Sequence, residues 1–94
     1  MPPRIGAAPR EAERGELKAR VFVTLKPSVF DPQGNTIAQA LQSLGYGAVA
    51  EVRQGKYFEL DLNVNTDGEA RQVASEVAER VLANPVIESF RIET

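Results

Sequence analysis

The sequence predicts an α+β sandwich in which four short strands and two helices follow in the order β-α-β-β-α-β. Three observations support this fold class. Several segments alternate polar and apolar residues, as half-buried strands do, and two others repeat apolar residues at helical spacing. Proline, glycine and asparagine stand between these segments, where turns and helix ends are expected. The 94 residues fit one domain.

The first strand is predicted over residues 18–26 and ends at Pro27. Its inward positions are Ala19, Val21, Val23 and Leu25. The first helix is predicted to begin at Pro32, with Asp31 as N-cap, because proline suits the first helical position. Gly45 is expected to end this helix. Its apolar stripe is expected to pack on the sheet and consists of Ile37, Leu41 and Leu44.

The middle of the chain predicts a hairpin. A short second strand is expected over residues 48–54, a turn at Gly55, and a third strand over residues 56–65. The inward positions of the third strand are Phe58, Leu60, Leu62 and Val64.

The second helix is predicted from a capping box of Thr66 and Glu69, in which each residue satisfies a backbone N–H at the helix start. Its apolar stripe comprises Ala70, Val73, Ala74, Val77, Ala78, Val81 and Leu82. Asn84 and Pro85 stop it, and a final strand is predicted over residues 86–93, with Phe90 and Ile92 inward.

This order is the split βαβ pattern of ferredoxin-like folds. Right-handed crossovers place both helices on one face of a four-stranded antiparallel sheet, with the first and third strands central. Residues 18–94 are predicted to form this single domain. Residues 1–17, rich in proline, glycine and alanine, are predicted to be an N-terminal arm that is flexible or docked on a neighbour.

The sheet face opposite the helices is predicted to be a self-association surface. Aromatic side chains within charges of both signs suit a polar-rimmed interface, and a homodimer is the simplest closed assembly, although larger ones are allowed. The alternative is a solvated surface with two isolated aromatics. The predicted self-association residues are Arg20, Phe22, Thr24, Tyr57, Glu59 and Asp61.

Composition excludes several kinds of function. The chain has no cysteine and no histidine, so a thiol nucleophile and the commonest general base are missing, and we expect no catalytic residues and no metal site. A net charge of −2 argues against nucleic acid as a partner. No apolar run is long enough to span a membrane, and the N-terminus lacks the apolar core of a secretory signal, so the cytoplasm is the expected location.

Polar residues crowd the loop after the first strand, which two prolines stiffen. A well-capped helix explains Asp31 and Pro32 but not the neighbouring Lys26, Gln33 and Gly34, so this loop is predicted to bind a partner. Together with the hairpin, the predicted partner interface comprises Lys26, Pro27, Asp31, Gln33, Gly34, Arg53, Gly55, Lys56 and Tyr57. Replacing Lys26 and Asp31 by alanine is expected to leave folding normal and to weaken the assembly.

The same residues carry a family resemblance. The blocks that carry it are VTLKP (23–27), DPQG (31–34), AL (40–41), LGY (44–46), VR (52–53), GKYFEL (55–60) and LANPVIE (82–88). Together they resemble the small PurS-type subunit of phosphoribosylformylglycinamidine synthase. The resemblance covers residues 18–94 in order and says nothing of the arm.

The resemblance implies a non-catalytic subunit of a three-component, glutamine-dependent ligase of purine biosynthesis. It implies a glutaminase subunit that releases ammonia and a large synthetase subunit that uses ATP and Mg²⁺. It also implies that the small subunit dimerises, bridges the other two and assists ammonia transfer, with no cofactor of its own. The absence of cysteine and histidine agrees with this, since a glutaminase triad requires both.

The alternative function is a dimeric small-molecule-sensing regulatory domain, because paired ferredoxin-like domains can bind an amino acid between protomers. Such a sensor would bind glutamine, glycine or a nucleotide on its own in calorimetry, whereas an assembly subunit would not.

Overall fold

The computed structural model describes residues 17–94, so the predicted arm lies outside the described residues except for Leu17, which opens the first strand. Within this range the chain is an α+β domain with an antiparallel sheet of three strands in the order β2-β1-β3. The elements are β1 (Leu17–Leu25), α1 (Pro32–Ser43), β2 (Gly55–Leu62), α2 (Asp67–Val77) and β3 (Glu88–Glu93).

Strand β1 lies in the centre and pairs with both neighbours. Val21 is opposite Phe58 of β2 and Ile92 of β3, and all three side chains are on the face that α2 covers. The predicted alternation of β1 is confirmed, because Ala19, Val21 and Val23 are at most 1% exposed. Alternation has this effect because successive side chains of a strand point to opposite faces.

Both predicted ends of α1 are confirmed. The Asp31 side chain accepts a hydrogen bond from the backbone N–H of Gly34 at 2.9 Å, as an N-cap does. At the other end Gly45 has φ of +102°, and the N–H groups of Gly45 and Tyr46 donate to the carbonyls of Gln42 and Leu41. This pair of bonds is the Schellman motif, which needs a left-handed residue.

The start of α2 is capped as predicted, with one difference. Thr66 Oγ1 accepts from the N–H of Glu69 at 3.1 Å, but the Glu69 carboxylate accepts from the N–H of Asn65, one residue before the N-cap, at 3.0 Å. The helix then continues into a π-helical turn, Ala78–Leu82. This wider turn rotates the following side chains, and Val81 is 76% exposed, so its predicted inward position is wrong.

The core lies between α2 and the sheet, where α2 packs against β1 and β3. Small alanine side chains on α2 let its backbone approach the valines of β1 closely. The buried cluster consists of Ala19, Val21, Val23, Ala74, Ala78 and Ala83. Half-buried side chains that flank it are Phe58, Leu60, Leu62, Leu82, Phe90 and Ile92.

Three predicted features of the sheet and its packing are not confirmed within residues 17–94. Residues 50–54 belong to no strand or turn, and Gly55 is the first residue of β2, so the predicted turn at Gly55 is wrong. Strand β2 therefore lies at an edge of the described sheet and not beside a fourth strand. Helix α1 contributes no side chain to the buried cluster formed by the described residues, whereas its apolar stripe was expected to pack on the sheet.

The ends of two strands also differ from the prediction. Strand β2 ends at Leu62 and not at residue 65. Strand β3 begins at Glu88 and not at residue 86, because the N–H groups of Ile87 and Glu88 both donate to the carbonyl of Asn84 and hold this stretch in a turn.

Candidate functional site

The predicted partner-interface residues come together at one end of the sheet. Strand β1 ends where β2 begins, with Thr24 opposite Gly55, so the loop leaving β1 and the segment entering β2 are neighbours. We call the residues of this region, 26–34 and 53–57, the loop cluster. The structure confirms that the two predicted parts are adjacent, while their binding of a partner stays a prediction.

Asp31 holds the loop cluster together. Its carboxylate accepts from the backbone N–H of Gly34 at 2.9 Å with one oxygen and from that of Gln54 at 2.7 Å with the other. The residue is only 6% exposed. The hydrogen bonds from Gln54 and then Gly34 favour the charged form and hold the pKa of Asp31 below its usual value. These hydrogen bonds predict that replacing Asp31 by alanine destabilises the fold, whereas the sequence alone led us to expect normal folding.

Gly34 is required by a close approach of two backbones. A Cβ atom at this position would lie 2.1 Å from the carbonyl oxygen of Val52, far inside van der Waals contact. Gly55 is required for a similar reason, since a Cβ there would lie 2.5 Å from the carbonyl oxygen of Val23. Both glycines therefore serve packing within the chain, and at Gly55 this packing replaces the turn that the sequence predicted.

Exposed polar contacts complete the loop cluster. Arg53 Nη2 donates to the carbonyl oxygen of Lys26 at 3.0 Å, and Gln54 Nε2 donates to Gln33 Oε1 at 2.7 Å. The N–H of Lys26 donates to the carbonyl of Ile87, which fixes the loop to the chain entering β3. The cluster thus presents polar side chains on a backbone that hydrogen bonds hold in place.

A cavity of about 220 Å³ lies beside the loop cluster, and both apolar and charged side chains line it. Lys56 Nζ and Glu88 Oε2 are 3.6 Å apart at its wall, across β1. The other Glu88 carboxylate oxygen accepts from the N–H of Asn84 at 2.7 Å, which stabilises the turn before β3. The Glu88 side chain is 14% exposed and the Lys56 side chain 56% exposed, so this pair links a structural carboxylate to a cation that a partner can reach.

The predicted self-association residues share the open face of the sheet, as expected from strand alternation. The rings of Phe22 and Tyr57 have centroids 5.1 Å apart, and the guanidinium carbon of Arg91 lies 4.2 Å from the Phe22 centroid. The Tyr57 hydroxyl donates to Glu59 at 2.7 Å, and this hydrogen bond is the main reason why the pKa of Tyr57 is raised. The open face therefore has an aromatic centre next to charged groups.

Ion pairs surround this aromatic centre. Lys18 Nζ lies 2.9 Å from Asp61 Oδ1, and Arg20 Nε lies 3.6 Å from Glu93 Oε1. Such exposed pairs contribute about 0–1 kcal/mol each to stability, so they do little to hold the sheet together. Their charges instead lie where they would meet any protein surface that binds to this face.

Sequence reasoning missed two parts of this surface. Arg91 and Glu93 lie on the open face, and the inward assignment of Phe90 and Ile92 could have found them by alternation. The hydrogen bond from the Gln54 backbone N–H to the Asp31 carboxylate could not be predicted from the sequence, because no spacing rule connects residues 23 positions apart. Within residues 17–94 no helix is long and apolar enough to cross a membrane.

Comparison with known proteins gives a consistent result. A family model described as PurS, phosphoribosylformylglycinamidine (FGAM) synthase, matches residues 18–94. The PurS subunit of phosphoribosylformylglycinamidine synthase from Synechocystis is 45% identical over 74 residues, which cover 79% of this chain and 74% of the relative.

Solved structures agree in fold. PurS of Bacillus subtilis has a TM-score of 0.70 at 45% identity, covering 81% of this chain and 94% of that chain. A chain from the structure of PurLQS of Thermotoga maritima has a TM-score of 0.77 at 27% identity, covering 83% of this chain and 95% of that chain.

Proposed function

This chain belongs to the PurS family, the small subunit of FGAM synthase in purine biosynthesis, and we propose that it joins a glutaminase subunit to an ATP-dependent synthetase subunit. The observation that carries the proposal is the family match over residues 18–94. The relative from the PurLQS structure of Thermotoga maritima supports a role within a complex. This chain is proposed to supply no active site, while ATP and Mg²⁺ bind to the large partner.

The proposed contribution of this subunit is to position its partners and exclude water. Ammonia released from glutamine must reach the synthetase unprotonated, and a sealed interface protects it from bulk solvent. Such a task needs a rigid surface and no nucleophile, which suits a chain without cysteine or histidine. The cytoplasm is the proposed location, as purine biosynthesis implies.

The loop cluster is the proposed contact surface for the two partners. Its backbone is held by Asp31, Gly34 and the bond from Arg53 to Lys26, so little ordering is needed on binding. Lys56, on the wall of the neighbouring cavity, offers an exposed cation beside it. The proposed contact residues remain those of the sequence prediction, namely Lys26, Pro27, Asp31, Gln33, Gly34, Arg53, Gly55, Lys56 and Tyr57.

The proposed state of the subunit is a homodimer with a ferredoxin-like sheet of four strands in each half. The open-face residues of β2, Tyr57, Glu59 and Asp61, are proposed to lie at or beside the contact between copies. The residues of β1 on the same face, Arg20, Phe22 and Thr24, extend this surface by one strand.

Purification from native extract tests the proposed function. The tagged full chain should co-elute with a glutaminase and an ATP-dependent synthetase, which mass spectrometry identifies, and its yield of both should fall when Lys26, Lys56 and Arg53 are replaced together by alanine. A chain that elutes without either protein, under conditions in which those two proteins are themselves present and folded, would overturn the proposal.

A further inference from the structure

The outer edge of β3 carries backbone groups that have no hydrogen-bond partner among residues 17–94. Strand β3 lies at an edge of the sheet, and only β1 pairs with it. The N–H of Lys26 donates to the carbonyl of Ile87, so this carbonyl points towards β1. Because backbone groups of successive strand residues point to opposite edges, those of Phe90 and Ile92 point away from β1. The Phe90 N–H and carbonyl and the Ile92 N–H are unpaired within the described range.

Arg71 of α2 lies across one end of this edge. Its Nη1 atom donates to the carbonyl oxygen of Ile92 at 3.2 Å, and its Nη2 atom donates to Thr94 Oγ1 at 3.2 Å. The first bond shows independently that the backbone groups of Ile92 face away from β1. The guanidinium therefore occupies the place where a neighbouring strand would bring its own N–H group.

The turn before β3 limits the other end of the edge. The N–H of Glu88 donates to the carbonyl of Asn84 at 2.7 Å, and the Glu88 carboxylate accepts from the N–H of Asn84 at 2.7 Å. The outward N–H of Glu88 is thus used within the turn. The part of the edge that could accept a strand is short and is centred on Phe90.

Unpaired strand edges readily accept a strand from another chain, and charged side chains placed at an edge prevent this. We propose that the outer edge of β3 can pair antiparallel with β3 of a second copy of the chain, and that Arg71 blocks this pairing. The pairing does not depend on the homodimer of the proposed function. A subunit that also associates through another surface would form open-ended chains if this edge paired, so Arg71 keeps the assembly closed.

A second copy fits this edge because the edge is self-complementary. About a two-fold axis at Phe90, the N–H and carbonyl of this residue meet the carbonyl and N–H of the same residue in the other copy. The next pair joins the Ile92 N–H to the Glu88 carbonyl of the other copy. Phe90 is half-buried on the face that α2 covers, and directly opposite aromatic side chains favour strand pairing.

Arg71 is incompatible with this register. The Ile92 carbonyl, to which its guanidinium is bonded, would lie opposite the Glu88 N–H of the other copy. Both copies of the guanidinium would have to leave their acceptors before the strands could approach. A side chain of similar length without N–H donors should therefore open the edge, whereas lysine, which can still donate to the Ile92 carbonyl, should keep it closed.

Sedimentation equilibrium of Arg71→Met tests the inference, with Arg71→Lys as the conservative variant. Arg80→Met is the matched control, since it adds the same apolar side chain at an exposed arginine in the π-helical turn. The mass of Arg71→Met should rise towards twice that of wild type, at a concentration at least about tenfold below any rise for Arg80→Met. Arg71→Lys should match wild type. Equal behaviour of Arg71→Met and Arg80→Met overturns the inference, whereas the mass of wild type itself tests only the proposed homodimer.

Amide hydrogen exchange identifies the surface that pairs and remains informative if Arg71→Met should not fold. In wild type the N–H groups of Phe90 and Ile92 should exchange faster than that of Arg91, which points towards β1. In Arg71→Met their exchange should slow as the concentration is raised, while that of Arg91 stays the same. Wild-type protein in which all three are equally protected, or a heavier Arg71→Met protein with unchanged exchange at Phe90 and Ile92, overturns the inference.

Discussion

The carboxylate of Asp31 accepts a hydrogen bond from the backbone N–H of Gln54, 23 residues later in the chain, at 2.7 Å. The same carboxylate caps α1 through Gly34. One side chain thus fixes the helix, the segment before β2 and the loop after β1 relative to one another. The shape of the proposed contact surface therefore depends on a buried charge.

Asp31→Asn should lower stability in a pH-dependent way. Asparagine can still cap α1, but its amide group places a donor against the N–H of Gln54. Because the pKa of Asp31 is lowered by folding, its contribution is complete above the usual value of 3.8 and is lost as pH falls through the folded pKa. Urea unfolding should show a constant difference from wild type at pH 5–8 that shrinks below about pH 3.8.

The control for this measurement is Glu51→Gln, which removes an exposed carboxylate from the same segment. Its unfolding midpoint should equal that of wild type at neutral pH. An Asp31→Asn protein as stable as wild type at pH 7 would contradict the structural role of Asp31.

Gly34→Ala should destabilise the packing of α1 against the segment before β2, although alanine favours helices. The added methyl group would lie 2.1 Å from the Val52 carbonyl oxygen, so that segment must move away. Overpacking of this kind costs about 1–3 kcal/mol. Chemical denaturation measures the loss, and Gly47→Ala is the matched control, since nothing lies within 4 Å of a Cβ there. Equal stability of the two variants would disprove the close approach.

Leu44→Lys should weaken self-association and spare the fold of the single chain. Leu44 is 74% exposed, so its replacement removes little buried area within one copy. In the proposed homodimer we expect its side chain to pack on the other copy, and a buried lysine is costly there. We expect the dimer dissociation constant in sedimentation to rise at least about tenfold, which corresponds to 1.4 kcal/mol.

Val81→Lys serves as the control for this prediction, because Val81 is 76% exposed and lies in the π-helical turn at the end of α2. It should leave the dimer dissociation constant unchanged. The packing of α1 on a second copy would be refuted if both variants behaved alike.

Phe22→Leu should reduce stability through its ring contacts on the open face. Leucine keeps an apolar side chain but loses the ring that contacts Tyr57 and the guanidinium of Arg91. Aromatic pairs and cation–π contacts at partly exposed sites contribute about 0.5–1.5 kcal/mol. Phe30→Leu, at a residue that is 68% exposed, should change the free energy of unfolding less. The reverse order of the two losses would show that the open-face aromatic centre contributes little.

Local signals predicted most of the fold correctly. The caps at Asp31 and Thr66, the glycine at position 45 and the alternation of β1 depend on neighbours in sequence, and the structure confirms each of them. Residues 18–94 also gave the family resemblance, which the comparisons confirm. The two segments that the sequence singles out are adjacent in the loop cluster, whereas Gln54 carried no sequence signal, and the role of the cluster as a contact surface stays a proposal.

The errors share a physical cause. A short extended segment has the same sequence pattern whether or not it pairs with a neighbouring strand, so residues 48–54 are predicted as part of a hairpin that the described residues do not contain. Gly55 was interpreted as a turn, although a glycine can equally serve a close backbone approach, as it does beside Val23. At Val81 a helical period was extended through a π-helical turn, which periodicity cannot detect.

The most direct test of the assembly role is reconstitution of glutamine-dependent FGAM synthesis from purified glutaminase and synthetase subunits of the same organism, with and without this chain. We expect turnover with glutamine to require the chain and to saturate as it is added, while turnover with an ammonium salt at high concentration proceeds without it. Full glutamine-dependent turnover by the two larger subunits alone would contradict the account.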